Sequence, residues 1–264
     1  MSEATVHKLR GRARTVGYWS VLDSALAAEK LAGVGYDFIV LDGQHGATDF
    51  RGWLAGLGPL RAAGTAGVVR VPAARAEYIG QALDAGASGI IVPMVDTAAE
   101  ATEIVRASMY PPHGNRSFGP MRTQPSDGRE LSQRDGQILR IVMIETAQGL
   151  AGVEEICAVS GVDAVFVGPI DLSLAVGARF PGDPDAAAAF EAALVRIRAA
   201  ADAAGIASGI YVGSGKDAAR RLEEGFTFVA VANDLSHMLE AAASHLATAR
   251  ADVPRQVLGG DTSY

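Results

Sequence analysis

Two acidic side chains stand where an acid is hard to account for without a positive partner. Glu145 follows directly on the apolar run Ile141-Val142-Met143-Ile144, and Asp171 closes the run Val167-Gly168-Pro169-Ile170. Carboxylates in such surroundings are almost never buried unless paired or metal-bound. A hard cation such as Mg²⁺ or Mn²⁺ takes one or two carboxylates and keeps its other positions for water and substrate oxygens. A salt bridge from Glu145 to an arginine such as Arg70 meets the same need, and spacing alone leaves both readings open. Upstream, Asp42-Gly43-Gln44-His45 sets a carboxylate three residues before an imidazole. Such a carboxylate can fix the ring's tautomer and raise its basicity for general-base work near neutral pH; the alternative is that His45 caps the helix beginning near Phe50. Arg70 interrupts Val68-Val69-Arg70-Val71, and a guanidinium there needs an anionic partner, for which a substrate oxygen or an enolate would serve. The amides entering a short helix at Ile170–Val176 point outward, where they can bind a carboxylate.

These residues fall at the ends of apolar runs, and that placement depends on the elements around them. Runs of four to six apolar residues recur, each followed by an alanine-rich amphipathic stretch, the pattern of β/α units around a parallel sheet. The sequence predicts strands at Thr15–Ser20, Phe38–Asp42, Gly67–Val71, Gly89–Pro93, Ile141–Ile144, Ala164–Gly168, Ala207–Val212 and Phe228–Ala232. Helices are expected over Ser24–Ala32, Phe50–Ala63, Glu77–Ala85, Ala98–Ser108, Gly149–Val159, Pro184–Ala204, Lys216–Glu224 and Leu235–Thr248. Eight such units make a single (β/α)8 barrel, which needs about 250 residues and carries its active site at the C-terminal ends of the strands. The chain has 264. Trp19, Asp42, Arg70, Glu145 and Asp171 all lie at or just past a predicted strand end. Glycines between helix and strand, at Gly33, Gly35, Gly64, Gly86 and Gly225, read as left-handed helix stops. The stretch 110–137 is longer than an ordinary connection and points to function or subunit contact; the tail after Ala251 reads as an arm.

Composition narrows the function. Hydrophobic residues make up 49% of the chain and charged residues 20%, enough for a large core and too little charge for disorder. A net charge of −7 with no basic block argues against nucleic acid as a partner. Cys157 is the only cysteine, which excludes an intrachain disulfide and a multi-cysteine zinc site; its apolar helical neighbours suggest an inert thiol. No apolar segment is long enough for a membrane span, and residues 1–14 lack a signal-peptide core, so a cytoplasmic location is expected. The lysines are Lys8, Lys30 and Lys216. None is well placed for a Schiff base, so an enolate would have to be stabilised by metal. Gly213-Ser214-Gly215-Lys216 has the composition of a barrel phosphate cradle and is the one argument for a phosphate-binding isomerase; helix capping is the favoured reading of it.

Several segments, taken in order, resemble the class II pyruvate aldolases of the HpcH/HpaI aldolase and citrate lyase group. They are Tyr36-Asp37-Phe38-Ile39-Val40-Leu41-Asp42-Gly43-Gln44-His45, Val69-Arg70-Val71, Ile91-Val92-Pro93-Met94-Val95-Asp96-Thr97, Tyr110-Pro111-Pro112-His113-Gly114-Asn115-Arg116, the strand ending in Glu145, and Val167-Gly168-Pro169-Ile170-Asp171-Leu172-Ser173. The resemblance implies that Glu145 and Asp171 ligate Mg²⁺, Mn²⁺ or Co²⁺, and that Arg70 steadies the keto oxygen of a 2-oxo acid as it becomes an enolate. It implies that His45, oriented by Asp42, moves the proton. Trp19 would wall the site, with Gly168, Pro169 and the amides of Ile170 and Asp171 around the substrate carboxylate. The expected reaction is cleavage of a 4-hydroxy-2-oxo acid to an aldehyde and pyruvate or a relative such as hydroxypyruvate, with a citrate-synthase-like or decarboxylating member as the alternative. The resemblance also implies a hexamer, a trimer of dimers, that exchanges C-terminal helices. Gln44 stands where familiar members carry glutamate, Met143 where they carry a polar residue, and Arg116-Ser117-Phe118-Gly119 where they carry an Arg-Gly pairing; Gln44 is expected beside the substrate.

Overall fold

Along a strand every second side chain faces the barrel axis and the next faces the helices, and this chain fills the two sets differently. In the computed structural model, which describes residues 2–121 and 130–251, the order is α1 (Ser2–Arg10), β1 (Thr15–Ser20), α2 (Ala25–Ala32), β2 (Phe38–Asp42), α3 (Phe50–Ala63), β3 (Ala66–Arg70), α4 (Ala76–Asp84), β4 (Gly89–Val92), α5 (Ala98–Ala107), α6 (Leu131–Asp135), β5 (Leu139–Ile144), α7 (Ala147–Ala151), α8 (Val153–Cys157), β6 (Ala164–Val167), α9 (Pro169–Ala175), α10 (Ala187–Ala204), β7 (Ala207–Val212), α11 (Gly215–Glu223), β8 (Phe228–Asn233) and α12 (Asp234–Ala251). Neighbouring strands pair in parallel and β1 closes on β8. The expected (β/α)8 barrel is the observed fold. Part of the long connection, 122–129, and the arm expected after Ala251 lie outside the described residues.

Inward positions at the lower and middle levels are apolar. Phe38, Val68, Ile141, Phe166 and Phe228 form one buried cluster with Trp19, while Ile39, Val69, Ile90, Val142 and Val229 belong to the outer layer under the helices. Large and small residues alternate inside: a Cβ on Gly17 would lie 2.2 Å from the Phe38 ring, and one on Gly209 would lie 2.3 Å from the Phe228 ring. The rings of Phe38, Phe228, Phe166 and Trp19 follow one another at centroid spacings of 6.0, 5.6 and 5.7 Å. This aromatic column fills the axis and supports Trp19 as the floor of the upper end.

The lower end is closed by α1. Val6 and Leu9, one turn apart, enter the interior cluster, and Arg10 bonds Asp163 through Nε at 2.7 Å. This helix was not expected, because two buried apolar residues in nine give too short a pattern to read. Nor was α6, which lies in the long connection. Where one helix was expected over Gly149–Val159, α7 and α8 are separated at Gly152. Gly35, Gly64, Gly86 and Gly225 take positive φ as expected, whereas Gly33 remains right-handed.

Before its undescribed portion the long connection packs on its own barrel. Arg116 is buried, donates from Nη2 to Asp84 Oδ1 at 2.7 Å, and stacks 4.6 Å over Tyr110. The Cys157 thiol is buried and pushed up to about 12 by its burial first and by Glu154 second, which leaves it inert. Ser214 caps α11, its hydroxyl accepting from the Asp217 amide at 3.1 Å, so Gly213–Lys216 is a helix start. No helix among the described residues is long and apolar enough to cross a membrane.

Candidate active site

At the upper end the inward positions turn polar. Trp19, Asp42, Arg70, Glu145, Gly168 and Tyr211 line a cavity of about 230 Å³, joined at its rim by His45, Ile170, Asp171 and Asn233. That space suits a small organic acid better than a nucleotide.

Glu145 is 2% exposed. Its Oε1 accepts the Met94 amide at 2.8 Å. Met94 is held at φ 55°, a left-handed conformation that costs a non-glycine residue about 1 kcal/mol or more, and the conformation aims that amide at the carboxylate. A Cβ on Gly168 would lie 2.0 Å from Oε2, so only glycine leaves this oxygen its place. Burial pushes the Glu145 pKa up; the Met94 amide opposes that, the Asp171 charge adds to it and Arg70 draws it back, with a net rise. No described side chain forms an ion pair with Glu145. The expected alternative of a Glu145–Arg70 bridge is replaced by a different pair, because Arg70 is committed elsewhere.

Arg70 donates from Nε to Asp42 Oδ1 at 2.9 Å and from Nη2 to Oδ2 at 2.5 Å, a two-pronged bond between buried groups. Its guanidinium lies 4.9 Å over the Trp19 ring, and the indole Nε1 donates to Asp42 Oδ2 at 3.1 Å. Burial alone would raise the Asp42 pKa, but the Arg70 bond and charge, with help from Trp19 and the Gln44 amide, hold it below the usual value. Nη1 of Arg70 makes no hydrogen bond among the described residues and remains for an anion in the cavity.

Two expectations are corrected here. Asp42 does not orient the His45 imidazole: its Oδ1 accepts the backbone amides of Gln44 at 3.0 Å and His45 at 3.2 Å. A carboxylate three residues back reaches either the ring or the amide of its neighbour, and Arg70 holds it in the amide-facing pose. Asp42 thus shapes the loop that carries the imidazole, which stays exposed at the rim. Gln44 does not line the cavity; its side-chain Oε1 is buried without a partner among the described residues. Trp19, Gly168, Pro169 and Ile170 line the cavity. Tyr211 and Asn233 were missed. Tyr211 had the right strand parity to be found, and Asn233 did not.

The two carboxylates fit a divalent cation. Glu145 and Asp171 face one cavity, the Asp171 charge adds to the cost of ionising Glu145, and no described cationic side chain is bonded to either. No group of three or more His, Cys, Asp or Glu side chains converges among the described residues; a cation held by these two carboxylates would keep its remaining positions for water and substrate. That is the donor set a hard cation accepts.

The HpcH/HpaI aldolase/citrate lyase family matches residues 15–241. A hydroxypyruvate/pyruvate aldolase of Pseudomonas aeruginosa is 41% identical over 238 residues, covering 88% of this chain and 87% of that protein. Among solved structures, an HpcH/HpaI aldolase/citrate lyase family protein from Burkholderia cenocepacia J2315 superposes with a TM-score of 0.84 at 34% identity, covering 94% of this chain and 100% of the other. A citrate synthase superposes with a TM-score of 0.82 at 27% identity, covering 93% and 96%.

Proposed function

The chain belongs to the HpcH/HpaI aldolase/citrate lyase family, and from that premise we propose how this carbon–carbon lyase works. It is an aldolase that joins a pyruvate-like 2-oxo acid to an aldehyde and cleaves the resulting 4-hydroxy-2-oxo acid. The observation that carries the reading is the pair Glu145 and Asp171, open to a cavity that also presents an uncommitted face of Arg70 and the His45 imidazole. Glu145 and Asp171 would hold Mg²⁺ or Mn²⁺, and the chemistry such an ion would supply there is Lewis-acid polarisation of a keto group, acidifying the adjacent carbon. Arg70 directs Nη1 at the oxygen that gains negative charge. Because Asp42 already fixes the guanidinium, little reorganisation is needed as that charge develops. The amides of Ile170 and Asp171 receive the substrate carboxylate. A ring nitrogen of His45 takes the proton from the hydroxyl whose carbon–carbon bond breaks, and returns it in the reverse direction. Trp19 and Phe166 exclude water from the apolar side.

The site is completed by assembly in this reading. Side chains of α12 from Met238 to Arg250 are exposed, Met238, Leu239 and Leu246 by half or more. A second copy exchanging the same helix would cover them, within a hexamer built as a trimer of dimers. We take the setting to be cytoplasmic.

The test is ¹H NMR of pyruvate methyl exchange in D₂O with metal-free protein, with added Mg²⁺ or Mn²⁺, and with Glu145→Ala. Metal-dependent exchange that falls at least about a thousandfold in the variant is expected; no exchange by the metal-loaded protein would sink the reading. The similarity to a citrate synthase keeps a synthase of the same family as the second reading. Product analysis separates the two, since an aldolase releases an aldehyde from a 4-hydroxy-2-oxo acid.

A further inference from the structure

Strands β3 and β7 stand opposite each other in a closed barrel of eight, so Tyr211 on β7 faces the cavity across from Arg70. The apolar lining of the cavity includes Trp19, Phe166, Met143 and Val21, and the Tyr211–Asn233 pair adds a polar element to it. Trp19 meets the Tyr211 ring edge-on at 5.8 Å and 79°, which fixes the phenol in place.

The pair has a defined sense. Asn233 Oδ1 accepts the Ser236 amide at 2.8 Å, which settles which end of the side chain is the carbonyl. Nδ2 therefore donates to the Tyr211 hydroxyl at 3.0 Å. The hydroxyl acts there as acceptor, its own proton is uncommitted among the described residues, and a hydroxyl that accepts one bond is polarised toward donating another. The backbone is strained to achieve this. Strict alternation along β8 would turn Asn233 outward, since Phe228 and Ala230 face the axis. At Ala232 the chain takes φ 52° and the β1–β8 register skips from Tyr18↔Val231 to Trp19↔Asn233. Ala232 joins the outer layer, and Asn233 turns to the cavity. The next residue, Asp234, secures the turn by accepting from Ser20 Oγ at 2.7 Å and the Val21 amide at 2.9 Å.

We infer that Tyr211, positioned by Asn233, reads a hydroxyl on the carbon next to the keto group of the donor and so sets the preference between a hydroxylated 2-oxo acid and pyruvate. This rests on the aldolase reading. In that reading the donor's carboxylate and keto oxygens would have their partners in the cation held by the two acids, in Arg70 and in the amides of α9. A methyl group beyond them is content against Trp19 and Phe166, whereas a hydroxyl in its place needs a donor or acceptor on that wall, and Tyr211 supplies it.

The experiment measures C3 proton exchange in D₂O, over protein-free controls, for hydroxypyruvate and pyruvate with the Mn²⁺-loaded protein, Tyr211→Phe and Asn233→Asp. The quantity read is the ratio of kcat/KM for the two donors. Tyr211→Phe is expected to lower the hydroxypyruvate-to-pyruvate ratio about tenfold, the worth of one hydrogen bond to a solvent-shielded group. Asn233→Asp keeps the acceptor for the Ser236 amide but takes the phenol proton for itself, and is expected to lower the ratio similarly. An unchanged ratio in Tyr211→Phe, whether both donors suffer equally or neither does, overturns the assignment, and an unchanged ratio in Asn233→Asp overturns the positioning role. Exchange of neither donor by the unaltered protein overturns the aldolase reading and this inference with it.

Discussion

Each end of the barrel buries an arginine, and the two are used in opposite ways. At the upper end Arg70 gives two of its nitrogens to one carboxylate, Asp42, and turns the rest to an open cavity. At the lower end Arg140 spreads its donors over Ser108 Oγ, the Asp135 carbonyl and the Ile138 carbonyl, with Asp163 3.9 Å away. Burial pulls the Arg140 pKa down first, and Asp163 and Asp135 draw it back only in part. A buried guanidinium is therefore no mark of a site in itself. What separates the two is unspent hydrogen-bonding capacity facing a space that a ligand can enter.

The same substitution at both positions breaks or sharpens that contrast. Arg70→Lys keeps the charge but loses the flat fork that locks onto Asp42, and a point charge on a flexible stem is poorly fixed for a developing anion. Metal-dependent exchange is expected to fall about a hundredfold with the metal affinity little changed, measured by exchange and by Mn²⁺ titration. Comparable exchange rates in the variant would remove Arg70 from the chemistry. Asp42→Asn tests the other half of the pair. It leaves the buried guanidinium without its counter-charge, at a cost of roughly 3 kcal/mol at neutral pH, read from denaturant midpoints. Asp42 has a depressed folded pKa, so its contribution is present above the unfolded value of about 3.9 and is lost as pH falls through the lower folded value. The gap between parent and variant should close on that acid side.

Why some of this was legible in the sequence and some not follows from side-chain parity. Glu145, Gly168, Arg70, Asp42 and Trp19 each sit an even number of residues from an inward apolar neighbour, so once the strands were drawn their orientation followed. Tyr211 has that parity too, two after Gly209, but a tyrosine in a strand is so ordinary that its type carried no signal. Asn233 has the wrong parity, and only the left-handed turn at Ala232 brings it in; nothing in the residues Val231-Ala232-Asn233 announces that turn. The mispairing of Asp42 with the His45 ring has another cause. Local spacing offers a carboxylate several partners, and the long-range one on β3 wins because it is charged, buried and two-pronged. At the lower end α1 stayed hidden because its role as a plug exists only once the barrel is closed.

The lower end yields the smaller effects, and they run in the reverse sense. Arg140→Lys is expected to cost about 2 kcal/mol of stability through the lost bonds to Ser108 and the backbone, while Michaelis constants and metal dependence stay with the parent. A loss of exchange out of proportion to the folded fraction would erase the distinction between the ends. Asp135 gives the finest comparison. Its Oδ2 accepts the Tyr110 amide at 2.9 Å, but Oδ1 is buried without a partner among the described residues. Burial raises its pKa, and the Tyr110 amide, Arg140 and Arg116 offset that only partly. A raised folded pKa contributes stability that is complete below the unfolded value of about 3.9 and is lost as pH rises through the folded value. Asp135→Asn keeps an acceptor for the Tyr110 amide and cannot ionise. Its melting temperature relative to the parent should therefore rise as pH increases above about 4, a range over which that of Asp42→Asn, whose dependence lies on the acid side of about pH 4, stays level. Parallel pH profiles for the two variants would mean that both ends answer to the same electrostatics, and that the cavity alone distinguishes them.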